Sequence, residues 1–130
     1  MRILIDTNVL FSALLFPQST PSRVLLHVAK NHEIVLTDRN IAELRDIVQR
    51  KNPGLLPAVE VLLAELSFEL IPAIDETKIK IRDVKDQPIL NAAILADVDM
   101  ILTGDKDFLC LEMERPKCMT PGDYAVYARL

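Results

Sequence analysis

The sequence has few of the residues that build a disulfide scaffold or a zinc site. It contains two cysteines, two histidines and no tryptophan among 130 residues. Cys110 and Cys118 do not form a C-x-x-C pair, so a disulfide framework and a zinc site are both disfavoured. Cysteine use of this kind is typical of a reducing compartment, and we expect a cytoplasmic protein.

Long apolar runs and an excess of positive charge are also missing. The longest uncharged run extends from Thr7 to Ser22 and is interrupted by Pro17 and Pro21, whereas a membrane helix needs ~20 consecutive apolar residues. We therefore expect no membrane span. The formal net charge of −4 argues against binding nucleic acid through charge excess. It does not exclude a nucleic-acid enzyme whose bound metal ions reverse the local charge.

Apolar residues make up 50% of the chain, which suits the core of one domain spanning residues 1–130. Apolar runs predict strands at 3–5, 33–36, 68–71, 100–103 and 117–120. Helical periodicity predicts helices at 9–16, at 20–31, from 37 or 38 to about 52, at 59–66 and at 86–94. The segment 77–85 is predicted to be a loop or an edge strand. The alternation predicts an α/β three-layer α/β/α sandwich around a mainly parallel sheet of four to five strands.

Acidic residues follow the ends of these predicted strands. Asp6 follows the first strand, Asp105 follows the strand at 100–103, Asp86 begins the helix before that strand, and Glu43 lies on the helix after the second strand. Parallel strands share one carboxyl edge, so the four carboxylates can approach one point there. Crowded carboxylates take up protons or bind cations, and oxygen-only donors suit Mg²⁺ or Mn²⁺. One or two such ions would support metal-assisted phosphodiester hydrolysis.

Each acid also has an ordinary structural role. Asp6 and Asp86 can cap helices, Asp105 and Asp107 can lie in a polar turn, and Glu43 can be a solvated helix carboxylate. If these roles hold, the chain is a catalytically weak protein-interaction module. The acid on the third helix is open as well, because Asp38 and Asp46 stand within one turn of Glu43 or at the helix start.

Two other classes of α/β protein with acids at the sheet edge fit poorly. Phosphatases of the haloacid-dehalogenase type need a second aspartate two residues after the first, and Asn8 occupies that position. Response-regulator receivers need a phosphate-accepting aspartate after the third strand, but here that strand ends at Ile71-Pro72 and no aspartate follows until Asp75.

Four short motifs contain the acids in order: D-T-N-V-L at 6–10, Glu43, D-Q-P-I-L-N-A-A at 86–93 and T-G-D-K-D-F at 103–108. Together they resemble the motifs of PIN-domain ribonucleases across essentially the whole chain. The resemblance is greatest to the toxin components of bacterial and archaeal toxin–antitoxin systems.

This resemblance implies a PIN-like sheet in which the first and fourth strands are neighbours. It also implies an RNA substrate, Mg²⁺ or Mn²⁺ as one or two ions, a homodimer, and inhibition by a cognate antitoxin protein. By position, the acidic metal-binding set would be Asp6, Glu43, Asp86 and Asp105, with Asp107 as a less regular fifth acid and Asn8 and Thr103 as polar residues beside the metal.

Overall fold

Five parallel strands form one sheet in the order β3-β2-β1-β4-β5. The computed structural model describes residues 1–74, 87–111 and 113–130. The strands are β1 Arg2–Ile5, β2 Glu33–Thr37, β3 Phe68–Ile71, β4 Met100–Leu102 and β5 Lys117–Met119. The sheet confirms the predicted α/β fold, and β1 and β4 are neighbours as the resemblance implied. The predicted loop or edge at 77–85 lies outside the described residues.

The described helices are α1 Thr7–Leu15, α2 Thr20–Asn31, α3 Asp38–Lys51, α4 Leu56–Glu65, α5 Gln87–Leu95, α6 Lys106–Leu109 and α7 Pro121–Tyr127, with a 3₁₀ turn at Pro53–Leu55. The short helices α6 and α7 were not predicted. They form because Asp105 and Thr120 cap them, each with a side-chain oxygen that accepts a backbone N–H of the first turn. No helix of the described residues is long and apolar enough to cross a membrane.

The sheet separates two apolar clusters, which makes the fold three-layered. Side chains of a strand alternate between faces, so Ile3 and Ile5 join the cluster that contains the buried residues of α1, α2, α3, α4 and α7. Leu4 and Ile101 join the cluster of α5 and α6 on the opposite face. Burial on both faces explains why β1 has a continuous apolar sequence. Asp6, the first residue after β1, therefore lies at the carboxyl end of a strand that is packed on both faces.

Candidate active site

Asp6 is the first residue beyond β1, and its side chain is only 4% exposed. Its backbone N–H donates to the carbonyl of Leu102 at 2.9 Å, which extends the contact between β1 and β4 by one residue. Its Oδ1 accepts the backbone N–H of Thr7 at 2.8 Å, so Asp6 caps α1. The helix-cap role is therefore present. It does not remove Asp6 from the sheet edge, because the capping position faces that edge.

Thr103 connects Asp6 to Asp105. The Thr103 side chain is fully buried, and its hydroxyl donates to Asp6 Oδ2 at 2.8 Å. The Thr103 hydroxyl oxygen also accepts the backbone N–H of Asp105 at 3.0 Å. The Asp105 carboxylate in turn accepts the backbone N–H of Asp107 at 2.8 Å. The Thr103 hydroxyl thus links Asp6, at the end of β1, to Asp105, just after the end of β4.

The electrostatic environment of Asp6 disfavours its charge. Burial raises the pKa of Asp6 above its ordinary value, the hydrogen bonds from Thr103 and from the Thr7 N–H lower it, and the negative charge of Asp105 raises it again. Burial outweighs the two hydrogen bonds. No cationic side chain among the described residues forms an ion pair with Asp6. A proton or a metal cation would relieve this cost.

Glu43 is the acid of α3 that reaches the neighbourhood of Asp6. Its Oε2 lies 3.2 Å from the hydroxyl of Thr7, the residue that follows Asp6. Asp46 instead forms an exposed ion pair with Arg50 at 3.0 Å. The Asp38 carboxylate accepts backbone N–H groups of the next residue and of the loop after β3. Of the three acids on α3, the contacts favour Glu43 as the one that faces the site.

The other predicted site residues have different positions. Asp107 is half-buried on α6, next to Asp105. Asn8 is exposed on α1, and no hydrogen bond joins its side chain to another described residue. Asp86 lies outside the described residues. Within the described parts of the chain, no group of three or more histidine, cysteine, aspartate or glutamate side chains is placed to hold a metal ion. The structure thus brings Asp6 and Asp105 together and links Glu43 to them through Thr7.

Two polar residues of this network were given no role in the sequence analysis: Thr7, and Asn40, whose side-chain N–H donates to the Thr7 hydroxyl at 3.2 Å. Thr7 stands inside the D-T-N-V-L motif, and Asn40 is fully buried on α3. The signal for Asn40 was present, because it lies four residues before the buried Leu44 and so on the core-facing side of α3. A buried amide on an apolar face must be hydrogen-bonded, which makes it a candidate member of a polar network.

The fold and the site together define an α/β protein with an acidic site at the carboxyl edge of a parallel sheet. The family model of the PIN domain matches residues 2–107, and the chain belongs to this family. PIN domains are generally nucleases that use divalent metal ions. The family expected from the four motifs is thereby confirmed.

A solved structure has the same fold. The crystal structure of VapBC2 from Rickettsia felis bound to a DNA fragment from their promoter superposes with a TM-score of 0.68, at 18% sequence identity, over 92% of this chain and 98% of that chain. At this identity the likeness is one of fold. No curated protein sequence matches the chain significantly.

Proposed function

We propose that this chain is a single nuclease domain, residues 1–130, that hydrolyses RNA phosphodiester bonds as a metal-dependent endoribonuclease and acts as the toxin of a toxin–antitoxin pair. One observation carries the proposal: Asp6 is a buried carboxylate without a cationic partner among the described residues, and it is hydrogen-bonded through Thr103 to the segment of Asp105. A PIN domain with this arrangement has the parts of a hydrolytic site.

The donor set fits a hard divalent cation. Carboxylate oxygens without histidine or cysteine suit Mg²⁺ or Mn²⁺, and a cation would offset the burial that raises the pKa of Asp6. The residues proposed to hold one or two ions are Asp6, Glu43, Asp86 and Asp105. When bound, such an ion supplies positive charge at the phosphate and a more acidic water.

Neighbouring residues hold the Asp6 carboxylate in a fixed orientation. Asp6 receives one hydrogen bond on each carboxylate oxygen, from the Thr7 N–H and from the Thr103 hydroxyl. These two donors fix the plane of the carboxylate and leave further lone pairs on both oxygens, since an ionised carboxylate has about four acceptor sites. Asp107 and Asn8 border the same edge and are proposed to orient the attacking water or a neighbouring acid.

We further propose a cognate antitoxin as protein partner, a homodimer as the resting assembly, and a cytoplasmic location. The fold shared with VapBC2 supports the antitoxin. For the homodimer, the exposed apolar side chains of Leu26 on α2 and Val126 and Tyr127 on α7 provide apolar surface. Light scattering of the purified chain tests the dimer directly, since a monomeric mass at micromolar concentration would refute it.

The activity is tested by incubating purified protein with mixed RNA, in Mn²⁺, in Mg²⁺ and in excess chelator. The wild type should cut RNA only with metal. Asp6→Asn and Asp105→Asn should each lower the rate by more than about a hundredfold, since loss of residues that merely support a metal ligand already costs about 10–100-fold.

Asp46→Asn is the matched control, because Asp46 is an exposed acid of α3 that pairs with Arg50. It should cut RNA at the wild-type rate. Equal cleavage in chelator, or an active Asp6→Asn variant, would refute the proposed mechanism. If the wild type neither cuts RNA nor gains thermal stability from Mn²⁺, the interaction-module hypothesis is the better one.

A further inference from the structure

We propose that Asn40 and Thr7 are positioning residues that hold the Glu43 carboxylate toward Asp6. The inference rests on the proposed function, because it takes Glu43 as part of the acidic set. It assigns a task to two buried polar residues that lie outside that set. Two observations support this inference: the set of hydrogen bonds that Asn40 forms, and the fact that the Thr7 hydroxyl has only one proton to donate.

Asn40 has its amide orientation fixed from one side. Its Oδ1 accepts the backbone N–H of Thr37 at 3.1 Å and the hydroxyl of Thr37 at 2.8 Å. The Thr37 hydroxyl also accepts the backbone N–H of Asn40 at 2.9 Å, which completes a capping box at the start of α3. A flipped amide would point its NH₂ group at the backbone N–H of Thr37, which can only donate, so Nδ2 must face the opposite way.

On that opposite side, Nδ2 of Asn40 donates to the hydroxyl oxygen of Thr7 at 3.2 Å. Thr7 is 4% exposed, so water contributes little here. A hydroxyl has only one proton to donate, and with Asn40 as donor that proton is directed to an acceptor. Among the described residues, the acceptors in reach are Glu43 Oε2 at 3.2 Å and the backbone carbonyl of Asn40 at 3.4 Å. The carboxylate is nearer, and hydrogen bonds to a charged acceptor are the stronger ones.

Thr7 therefore connects two acids that are distant in sequence. Its backbone N–H binds Asp6 Oδ1 at 2.8 Å, and its hydroxyl binds Glu43. Thr103 does the same on the other side, where its hydroxyl binds Asp6 Oδ2 and accepts the N–H of Asp105. Two buried threonines thus stand on either side of Asp6, each joining it to one further acid.

The positioning role requires a hydroxyl at position 7. It predicts that removing this hydroxyl weakens Mn²⁺ binding, an effect that helix capping alone does not explain. Thr7→Val keeps the shape and the backbone N–H to Asp6 but removes the hydroxyl. Thr7→Ser keeps the hydroxyl. Ser19→Ala is the control for general loss of stability, because Ser19 caps α2 through its hydroxyl and makes no hydrogen bond to an acidic side chain of the described residues.

The experiment measures Mn²⁺ affinity by calorimetry and thermal unfolding for all four proteins, and determines metal-free crystal structures of the two Thr7 variants. Thr7→Val should bind Mn²⁺ about 10–100-fold more weakly than wild type, with Glu43 turned away from Asp6 in the crystal. Thr7→Ser should bind with near wild-type affinity and keep Glu43 in place. Ser19→Ala should lower the melting temperature without changing Mn²⁺ affinity.

Wild-type Mn²⁺ affinity in Thr7→Val, or an unmoved Glu43, would overturn the positioning role. A Ser19→Ala variant that loses affinity as much as Thr7→Val would overturn it as well, because the effect would then be general instability. If the wild type itself binds no Mn²⁺, the proposed metal-dependent function fails. The metal-free crystals then decide the positioning role alone: a displaced Glu43 in Thr7→Val and a retained one in Thr7→Ser would still support it.

Discussion

Thr103→Val should destabilise the metal-free protein through the Asp6 carboxylate. The substitution preserves the shape of a fully buried side chain and removes the hydroxyl that donates to Asp6 Oδ2 at 2.8 Å. A hydrogen bond to a charged group contributes about 1.5–3 kcal/mol. The backbone N–H of Asp105, which loses the same oxygen, is half-buried and adds less. We expect a total of about 2–3 kcal/mol, a large share of the ~5–15 kcal/mol that stabilises a typical domain.

The loss should depend on pH in a defined direction. The Thr103 hydroxyl stabilises the ionised form of Asp6, so its removal raises the pKa of Asp6 further. The destabilisation should therefore be greatest above the pKa of Asp6 in the folded protein, where its carboxylate is charged, and should shrink as the pH falls through that pKa. For a chain of 130 residues the full effect, with Asp6 charged, corresponds to a fall in melting temperature of roughly 6–15 °C.

Guanidinium unfolding in chelator-treated buffer at several pH values measures this effect. Thr103→Ser is the matched variant, because it keeps the hydroxyl and loses only a methyl group. It should retain most of the pH-dependent stability. A cost below about 0.5 kcal/mol, which is ordinary for an uninvolved surface position, would refute the reasoning. So would a cost that does not change with pH.

Two further predictions concern stability. In metal-free buffer at neutral pH, Asp6→Asn should raise the melting temperature, because it removes a buried carboxyl group whose raised pKa lowers the stability of the folded state at that pH. The gain should vanish below the ordinary pKa of an aspartic acid, because Asp6 is then protonated in both the folded and the unfolded state. Mn²⁺ should stabilise the wild type but not the variant. A metal-free variant that is less stable than the wild type at neutral pH would contradict this prediction. Leu44→Ala should cost about 2–5 kcal/mol in denaturant unfolding, because Leu44 is fully buried, while Leu95→Ala at a 77% exposed position should cost under about 0.5 kcal/mol. Similar costs at the two positions would refute the packing assignment.

The central strands β1, β2 and β4 were predictable because burial on both faces gives continuous apolar sequences. The edge strand β3 is largely exposed, but it also begins and ends where its sequence pattern predicts. Helix starts were harder to place. The pair Thr20–Pro21 predicts a cap at Thr20, but Ser19 is the residue whose hydroxyl accepts an N–H of the first turn. The helices α6 and α7 are too short to show a periodic pattern, and only their capping residues signal them.

The site also contains residues that the sequence predicts and residues that it does not. The strand-end positions of Asp6 and Asp105 follow from topology, which a sequence pattern specifies. The choice of Glu43 over Asp38 and Asp46 depends on the rotation of α3 about its axis, and a one-turn error exchanges such candidates. Asn40 was missed for a related reason, because its hydrogen bond to Thr7 forms only when α3 packs against α1.

The central claim is that the acids at the carboxyl edge of the sheet hold a divalent cation. Anomalous diffraction from crystals grown with Mn²⁺ tests it most directly, because it locates the ion without relying on activity. The account predicts a manganese peak in contact with the Asp6 and Asp105 carboxylates, with Glu43 on the same side, and no such peak in Asp6→Asn crystals. Manganese bound only elsewhere on the surface, or an unchanged peak in the Asp6→Asn variant, would contradict the account.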